Sequence, residues 1–242
     1  MITIYDDGIF NNSHLIRVLQ SLCDVSVTLC TSSMIIDGYL DDQKLLIMPG
    51  GADLYFCEKL NGLGNQCIKK FVASGGSYLG ICAGAYYACS NLDWGCGEIV
   101  GTRELSFYNG KATGPLYEWV ENKQDIYNGS WIKAVEIETS QEQIFLSQYN
   151  GGPIFQERDD VNIIARYTGL ETTPPAIIHG NFGKGKYILS SPHIEKFGHS
   201  LSDGLYKHLN NSYEWEKKEI DALLNYTEQQ KEFFKTIIDR LL

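Results

Sequence analysis

The spacing of apolar and polar positions changes along the chain, and each change marks an element. Met1 to Asp7 alternates around Ile2 and Ile4 and runs out in Asp6-Asp7-Gly8, which predicts a strand ending in a loop. Leu15, Val18, Leu19 and Leu22 then recur at helical spacing behind Ser13, a candidate cap, so a helix follows. Val25 to Cys30 is rich in β-branched residues and predicts a second strand, while Lys44 to Met48 predicts a buried third that stops at Pro49-Gly50-Gly51. A helical window from about Asn65 to Ser74 carries Ile68, Phe71 and Val72 on one side and ends at Gly75-Gly76. Ser77 to Ile81 then predicts a short strand that runs directly into Cys82. Strands and helices alternating across short Gly-rich turns predict a three-layer α/β fold, a doubly wound and largely parallel sheet with helices on both faces. Ligands of such sheets bind beyond the carboxyl ends of the strands.

From Gly101 to Arg166 the period shortens. Ala134 to Ile137, Ile144 to Leu146 and Ile163 to Tyr167 alternate with little helical periodicity, which predicts an antiparallel β insertion on the parallel core. From Tyr213 to Leu242 the spacing returns to that of one charged amphipathic helix, with Ile220, Leu223, Leu224, Phe234, Ile237, Ile238 and Leu241 as its stripe. The expected organisation is a domain over residues 1–211 and a C-terminal helix over 212–242, packed on the core or on a partner, including a second copy of the chain.

Composition narrows the class. The 242 residues, 43% of them apolar, suffice for one large α/β domain with an appendage. The net charge is −10 with a pI near 5.0, and no window concentrates Lys and Arg, so neither nucleic acid nor an anionic membrane is an expected partner. No stretch approaches the roughly 18 apolar residues of a membrane span, and Met1 to Asp7 has no signal-peptide pattern, so a cytoplasmic location is expected. Seven cysteines without Cys-x-x-Cys spacing fit a reducing compartment better than a disulfide scaffold or a zinc ribbon. The Asn-x-Ser/Thr triplets at Asn11, Asn128, Asn210 and Asn225 would matter only outside the cell.

Three short segments carry candidate chemistry. Gly80-Ile81-Cys82-Ala83-Gly84 follows a strand and precedes a helical window, the setting of a nucleophile elbow, where a helix N-terminus favours thiolate. A small cysteine buried in a tight turn is the alternative. His193-Ile194-Glu195 follows the strand-like Tyr187 to Ser191 and Pro192; on an extended backbone the two side chains share a side, so Glu195 can orient the imidazole. The alternative is an exposed histidine beside a glutamate. Pro49-Gly50-Gly51 ends a strand with residues that let a backbone N–H approach a ligand; the Gly51 N–H, with that of Ala83, is the candidate oxyanion hole, and an ordinary turn is the alternative.

Taken together, these segments resemble class I glutamine-amidotransferase-like domains, and more closely the biotin-protein-ligase N-terminal-like group. The resemblance covers roughly residues 1–200 through Pro49-Gly50-Gly51-Ala52-Asp53, Gly80-Ile81-Cys82-Ala83-Gly84-Ala85-Tyr86-Tyr87, Asn150-Gly151-Gly152-Pro153, and Gly183-Lys184-Gly185-Lys186 leading to Ser191-Pro192-His193. It implies a flavodoxin-like layering and a cysteine-nucleophile triad of Cys82, His193 and Glu195. The reaction it implies is acyl transfer or hydrolysis on a small-molecule amide or acyl substrate. Asp6, Gly50, Tyr86, Tyr87, Asn150, Gly151 and Gly152 are candidate pocket residues. Two departures limit what the resemblance carries. Glutamine-hydrolysing members usually have Gln four residues after the nucleophile, where this chain has Tyr86, so free glutamine is not the expected substrate. The chain also lacks the Gly-Arg-rich biotinyl-AMP loop, so it is not itself expected to ligate biotin.

Other signals are weaker. Gly180 to Lys186 reads Gly-x-x-x-x-Gly-Lys, but Tyr187 replaces the Ser or Thr of a P-loop and a strand follows, so a hairpin turn is expected. Asp6 and Asp7 are candidates for an acid near the thiol, with a plain turn as the alternative. His14, His179, His199 and His208 show no ligand spacing, and neither a metal nor a cofactor is expected. Alongside the enzyme stand a non-catalytic binding or regulatory module and a redox-sensing thiol on the same fold.

Overall fold

The computed structural model describes residues 1–8, 10–120, 132–198 and 214–242. Its parallel core begins with β1 (Ile2–Tyr5), α1 (Ser13–Leu22) and β2 (Val27–Cys30). Ser13 starts its helix rather than capping it. Asn12 holds the cap position without a side-chain cap bond, and the Asn11 side chain accepts the Ser13 N–H at 2.9 Å. The chain continues through α2 (Ser32–Ile36), β3 (Leu45–Met48), α3 (Asp53–Leu60), α4 (Leu63–Ala73), β4 (Ser77–Ile81) and α5 (Ala83–Tyr87). With β13 (Gly185–Ser190), these strands lie parallel in the spatial order β2-β1-β3-β4-β13.

The alternation read from the sequence sorts side chains to the two sheet faces. Ile2, Ile4, Leu45, Ile47, Leu79 and Ile81 face one layer, which holds Leu15, Val18 and Leu19 of α1. Tyr5, Leu46, Met48 and Tyr78 face the other, built from Ile35, Phe56, Leu60, Ile68 and Val72 of α2, α3 and α4. Both faces are covered, as a parallel sheet requires.

The middle of the chain departs from the expected all-antiparallel insertion. β8 (Lys133–Thr139), β9 (Ile144–Tyr149), β11 (Asn162–Tyr167) and β12 (Pro175–Phe182) do extend the main sheet antiparallel, in the order β13-β12-β11-β8-β9. A second sheet, however, starts as early as Cys89 with β5 (Cys89–Trp94), β6 (Ile99–Thr102), β7 (Tyr108–Gly114) and β10 (Ile154–Phe155). In it β5 and β7 pair in parallel, because the chain crosses back after β6 to the other edge of β5.

The C-terminal stripe is divided between two helices, not one. α6 (Glu214–Leu224) and α7 (Thr227–Leu241) are separated where the Tyr226 N–H bonds Leu223 O and the Thr227 hydroxyl bonds Leu224 O, ending the first ladder. The break lets the two stripes meet different surfaces. Leu223 packs with Ile132, and Glu219 ties α6 to β8 through Lys133 Nζ and the Ala134 N–H, at 2.7 and 2.8 Å. Phe233, Phe234, Ile237, Ile238 and Leu241 of α7 enter the main core beside α1. The boundary at 211/212, Asn128, Asn210, His199 and His208 lie outside the described residues. Among those described, no helix is long and apolar enough to cross a membrane.

Candidate active site

Parallel strands present their carboxyl ends at one edge, and that edge gathers the loops after β1, β3, β4 and β13. Cys82 follows β4 directly, with φ 52° and ψ −104°. A non-glycine residue with positive φ is strained and persists only where its surroundings fix it. Here the Cys82 N–H bonds Ser190 O at 2.8 Å, the Gly84 N–H bonds Pro49 O at 3.2 Å, and the Tyr86 N–H bonds Cys82 O at 3.1 Å. The flanking glycines are required by space. A Cβ on Gly80 would stand 2.4 Å from Gly84 O, and one on Gly84 would stand 2.2 Å from Met48 O.

His193 and Glu195 leave β13 through Pro192, and both are buried. The His193 N–H bonds Gln148 O at 2.8 Å, so the end of β9 returns to the site and brings Asn150 and Gly151 with it. His193 Nδ1 lies 2.7 Å from Glu195 Oε1. With the carboxylate accepting, Nδ1 carries the proton and Nε2 is the basic nitrogen. The Cε1 edge of the ring packs against Gly50, since a Cβ there would fall 2.4 Å from Cε1. Burial, aided by the Lys196 ammonium, lowers the His193 pKa below 6.5 against the pull of Glu195. Burial alone would raise the Glu195 carboxyl; the charge and hydrogen bond of His193 overcome it and hold the group below its usual range.

The thiol differs from the expectation of an elbow that favours thiolate. Burial pushes Cys82 up to about 12, while the Lys196 ammonium and the N–H groups of Ala83 and Gly51 pull it down and Glu195 adds to the rise. The five-residue α5 and these two N–H groups do not offset the loss of water around a residue that is 6% exposed. At rest the thiol is protonated and Sγ donates to Asn150 O at 3.5 Å.

Cys82, His193, Glu195, Gly50, Gly51 and Ala83 line one cavity of about 640 Å³, joined by Tyr86, Trp94, Asn150 and Gly151. The Tyr86 hydroxyl donates to Gly151 O at 3.1 Å, fixing the ring against that loop. Three expected pocket residues stand elsewhere. Asp6 accepts the Gly8 N–H at 2.8 Å in a turn and borders a separate small crevice. Tyr87 points into the core, where its hydroxyl meets Asn65 Oδ1 at 2.5 Å. Gly152 is a close-approach residue, since a Cβ there would stand 2.1 Å from Ser191 O.

Sequence reasoning missed other contributors. His14 Nε2 donates to Glu195 O at 2.7 Å and so holds the segment that carries the His193–Glu195 pair. Lys196 lines the cavity next to the His-x-Glu pair, and Leu54, Tyr55, Leu92 and Ile99 give it an apolar wall. The His14 contact spans 181 residues and leaves no local signal. Among the described residues no group of three or more His, Cys, Asp or Glu side chains could hold a metal ion. Gly180 to Lys186 forms the β12–β13 hairpin, with Phe182 paired to Gly185 and Gly183 at φ 61°.

The family model described as "Biotin-protein ligase, N terminal" matches residues 11–242. An uncharacterized protein of Chlamydia muridarum is 37% identical over 159 residues, covering 63% of this chain and 60% of that protein. The biotin–protein ligase of Schizosaccharomyces pombe is 30% identical over 211 residues, covering 80% of this chain and 33% of that protein. The chain therefore spans less than two thirds of the length of either relative. Among solved structures, PurLQS from Thermotoga maritima matches with TM-score 0.56 and 18% identity over 93% of this chain and 97% of that one. A Thermoplasma acidophilum protein described as a GMP synthase subunit matches with TM-score 0.50 and 16% identity over 81% and 84% of the two chains. At these identities the likeness is one of fold, and that fold is glutamine-amidotransferase-like. With a family match over nearly its whole length, the chain belongs to the biotin-protein ligase N-terminal family.

Proposed function

We propose that the chain is a cysteine-nucleophile enzyme acting on an amide or related acyl carbon, with a substrate other than free glutamine. The observation that carries the reading is convergence: Cys82, the His193–Glu195 pair and the N–H groups of Gly51 and Ala83 come from three distant segments and border one cavity. His193 Nε2 takes the Cys82 proton as sulfur attacks the carbonyl carbon, and Glu195 holds the imidazolium that forms. The two N–H groups stabilise the tetrahedral oxyanion. His193 then returns the proton to the leaving group, and water releases the acyl group by the reverse sequence. A neutral histidine and a protonated thiol make the proton transfer part of the attack rather than a step before it.

The test is to trap the acyl-enzyme. The protein is incubated with p-nitrophenyl acetate, quenched in acid, and analysed by intact mass and peptide mapping. One acetyl group on Cys82 is expected, absent from Cys82→Ala. Acetylation confined to surface lysines, equal in both proteins, would refute the reading. A second reading is favoured by the Cys82 thiol, which burial holds at about 12 and which donates to Asn150 O. In that reading the cavity binds a small molecule without turnover, and ligand binding without an acyl-enzyme is its signature.

A further inference from the structure

We infer that the substrate of this cavity carries a carboxylate, which pairs with Lys196. The inference deepens the acyl-transfer reading, on which it rests for the ligand being a substrate. The charged groups that line the cavity are Asp53, Glu195, Lys196 and, when protonated, His14 and His193. Asp53 is held by Arg103 Nε at 2.7 Å, and Glu195 by His193 Nδ1 at 2.7 Å. His14 donates its Nε2 proton to a backbone carbonyl, and burial keeps both histidines toward the neutral form. Lys196 is half-buried, and no acidic side chain among the described residues lies within ion-pairing distance of it. Among the described residues Lys196 is thus the charged group of the lining that no direct ion pair holds, with the Glu195 carboxylate, already bonded to His193, acting on it only through space. A half-buried charge is stabilised by a partner of opposite sign.

The chemistry of the partner follows from the count. One ammonium, with no second free cation among the described residues of the lining, suits a monoanion better than a phosphate monoester of charge about −1.5 to −2. The wall formed by Leu54, Tyr55, Leu92, Trp94 and Ile99 is apolar, so the remainder of the ligand is an apolar body. Lys196 lines the same cavity as Cys82 and His193, and its ammonium pulls the pKa of both down. The chain as a whole carries −10, so any preference for an anion at this cysteine must arise locally.

Two alkylating reagents of similar size, iodoacetate and iodoacetamide, differ in that charge. With either, the Cys82 sulfur bonds to carbon, iodide leaves and the thiol proton passes to buffer. The quantity read is the iodoacetate-to-iodoacetamide rate ratio at Cys82, with the exposed Cys96 as reference in the same sample. A ratio removes any general change in thiol reactivity that a Lys196 substitution brings. It is expected to fall about tenfold in Lys196→Met and to be retained in Lys196→Arg, as an ion pair in a partly buried site requires. An unchanged ratio in Lys196→Met overturns the inference. Where Cys82 reacts with neither reagent, binding of sodium hexanoate and of hexanamide to full-length Cys82→Ala decides. A preference for hexanoate of about tenfold, lost on adding Lys196→Met, supports the inference. Equal affinities, or binding of neither, overturn it. The acyl-transfer reading fails separately: a carboxylate preference without an acyl-enzyme retires that reading alone, and an acyl-enzyme with an unchanged ratio retires this inference alone.

Discussion

At the scale of single residues, the protonation states fix the pH dependence. The proposed base is a histidine whose pKa is lowered below 6.5, and the proposed nucleophile is a thiol held at about 12. For ester hydrolysis kcat/KM is therefore expected to be flat from about pH 7 to 9 and to fall only on the acid side, through the lowered His193 value. A rate that climbs about tenfold per unit through that range would mean that free thiolate attacks and His193 is not the base. Stability follows the same sign. His193 binds fewer protons folded than unfolded, so its contribution is full above 6.5 and is lost as the pH falls toward its folded value. Glu195, lowered in the fold, loses its contribution further down, as the pH falls through its own folded value. Thermal scans at successive pH values should show Tm declining on acidification below 6.5, and less steeply in His193→Gln.

Tyr86 sets a second expectation at this scale, because its ring lines the cavity and its hydroxyl is tied to Gly151 O. Ammonia release from free glutamine should fall below the ordinary enzyme range of about 1 to 1000 per second, and turnover within that range would contradict this assignment. The residues of the proposed triad were legible as candidates in the sequence because each piece is short: a glycine-flanked cysteine after a strand, and a histidine two positions from a glutamate. Lys196 and His14 were not, because one is an ordinary lysine by spacing and the other reaches Glu195 from the opposite end of the chain. Tyr87 shows the limit of adjacency. It neighbours a pocket residue on α5, yet the helical turn sends its ring into the core.

At the scale of elements, the elbow is held by backbone packing that leaves no room for a methyl group. Gly84→Ala would set a Cβ 2.2 Å from Met48 O, and backbone on both sides cannot yield as a side-chain end would. Urea unfolding should show a loss of about 1 to 3 kcal/mol or more, as for other overpacked sites, together with loss of Cys82 acylation. Wild-type stability in Gly84→Ala would mean that the elbow relaxes freely. The last helix makes a larger contribution. Five side chains of α7 enter the main core, and full burial is worth about 1.5 to 3 kcal/mol each, comparable to the whole stability of a typical domain. A chain ending at Tyr226 is therefore expected to lose cooperative unfolding, and an unchanged Tm would contradict that packing. The apolar stripe announced this burial, while the break at Asn225-Tyr226 did not show, because helical spacing continues across it.

At the scale of the molecule, strand alternation marked the parallel core and its functional edge, since a sheet buried on both faces needs runs such as Leu45 to Met48. The second sheet was harder to see. β6 and β10 are short, and β5 and β7 carry polar residues that pack by cross-strand pairing rather than by a hydrophobic run. It bears on the candidate site, because Leu92, Trp94 and Ile99 of that sheet line the same cavity as Cys82, His193 and Glu195. The return of β9 to His193 brings Asn150 O to the thiol.

The measurement that bears most directly on this arrangement is stopped-flow release of p-nitrophenolate by wild-type protein and by Cys82→Ala, His193→Ala and Glu195→Gln. A burst of one equivalent per chain is expected from the wild type and none from Cys82→Ala. The burst rate should drop about 10² to 10⁴-fold in His193→Ala and less in Glu195→Gln, where the imidazole remains but is less well oriented. A burst that persists in Cys82→Ala, or a rate indifferent to His193, would contradict the account.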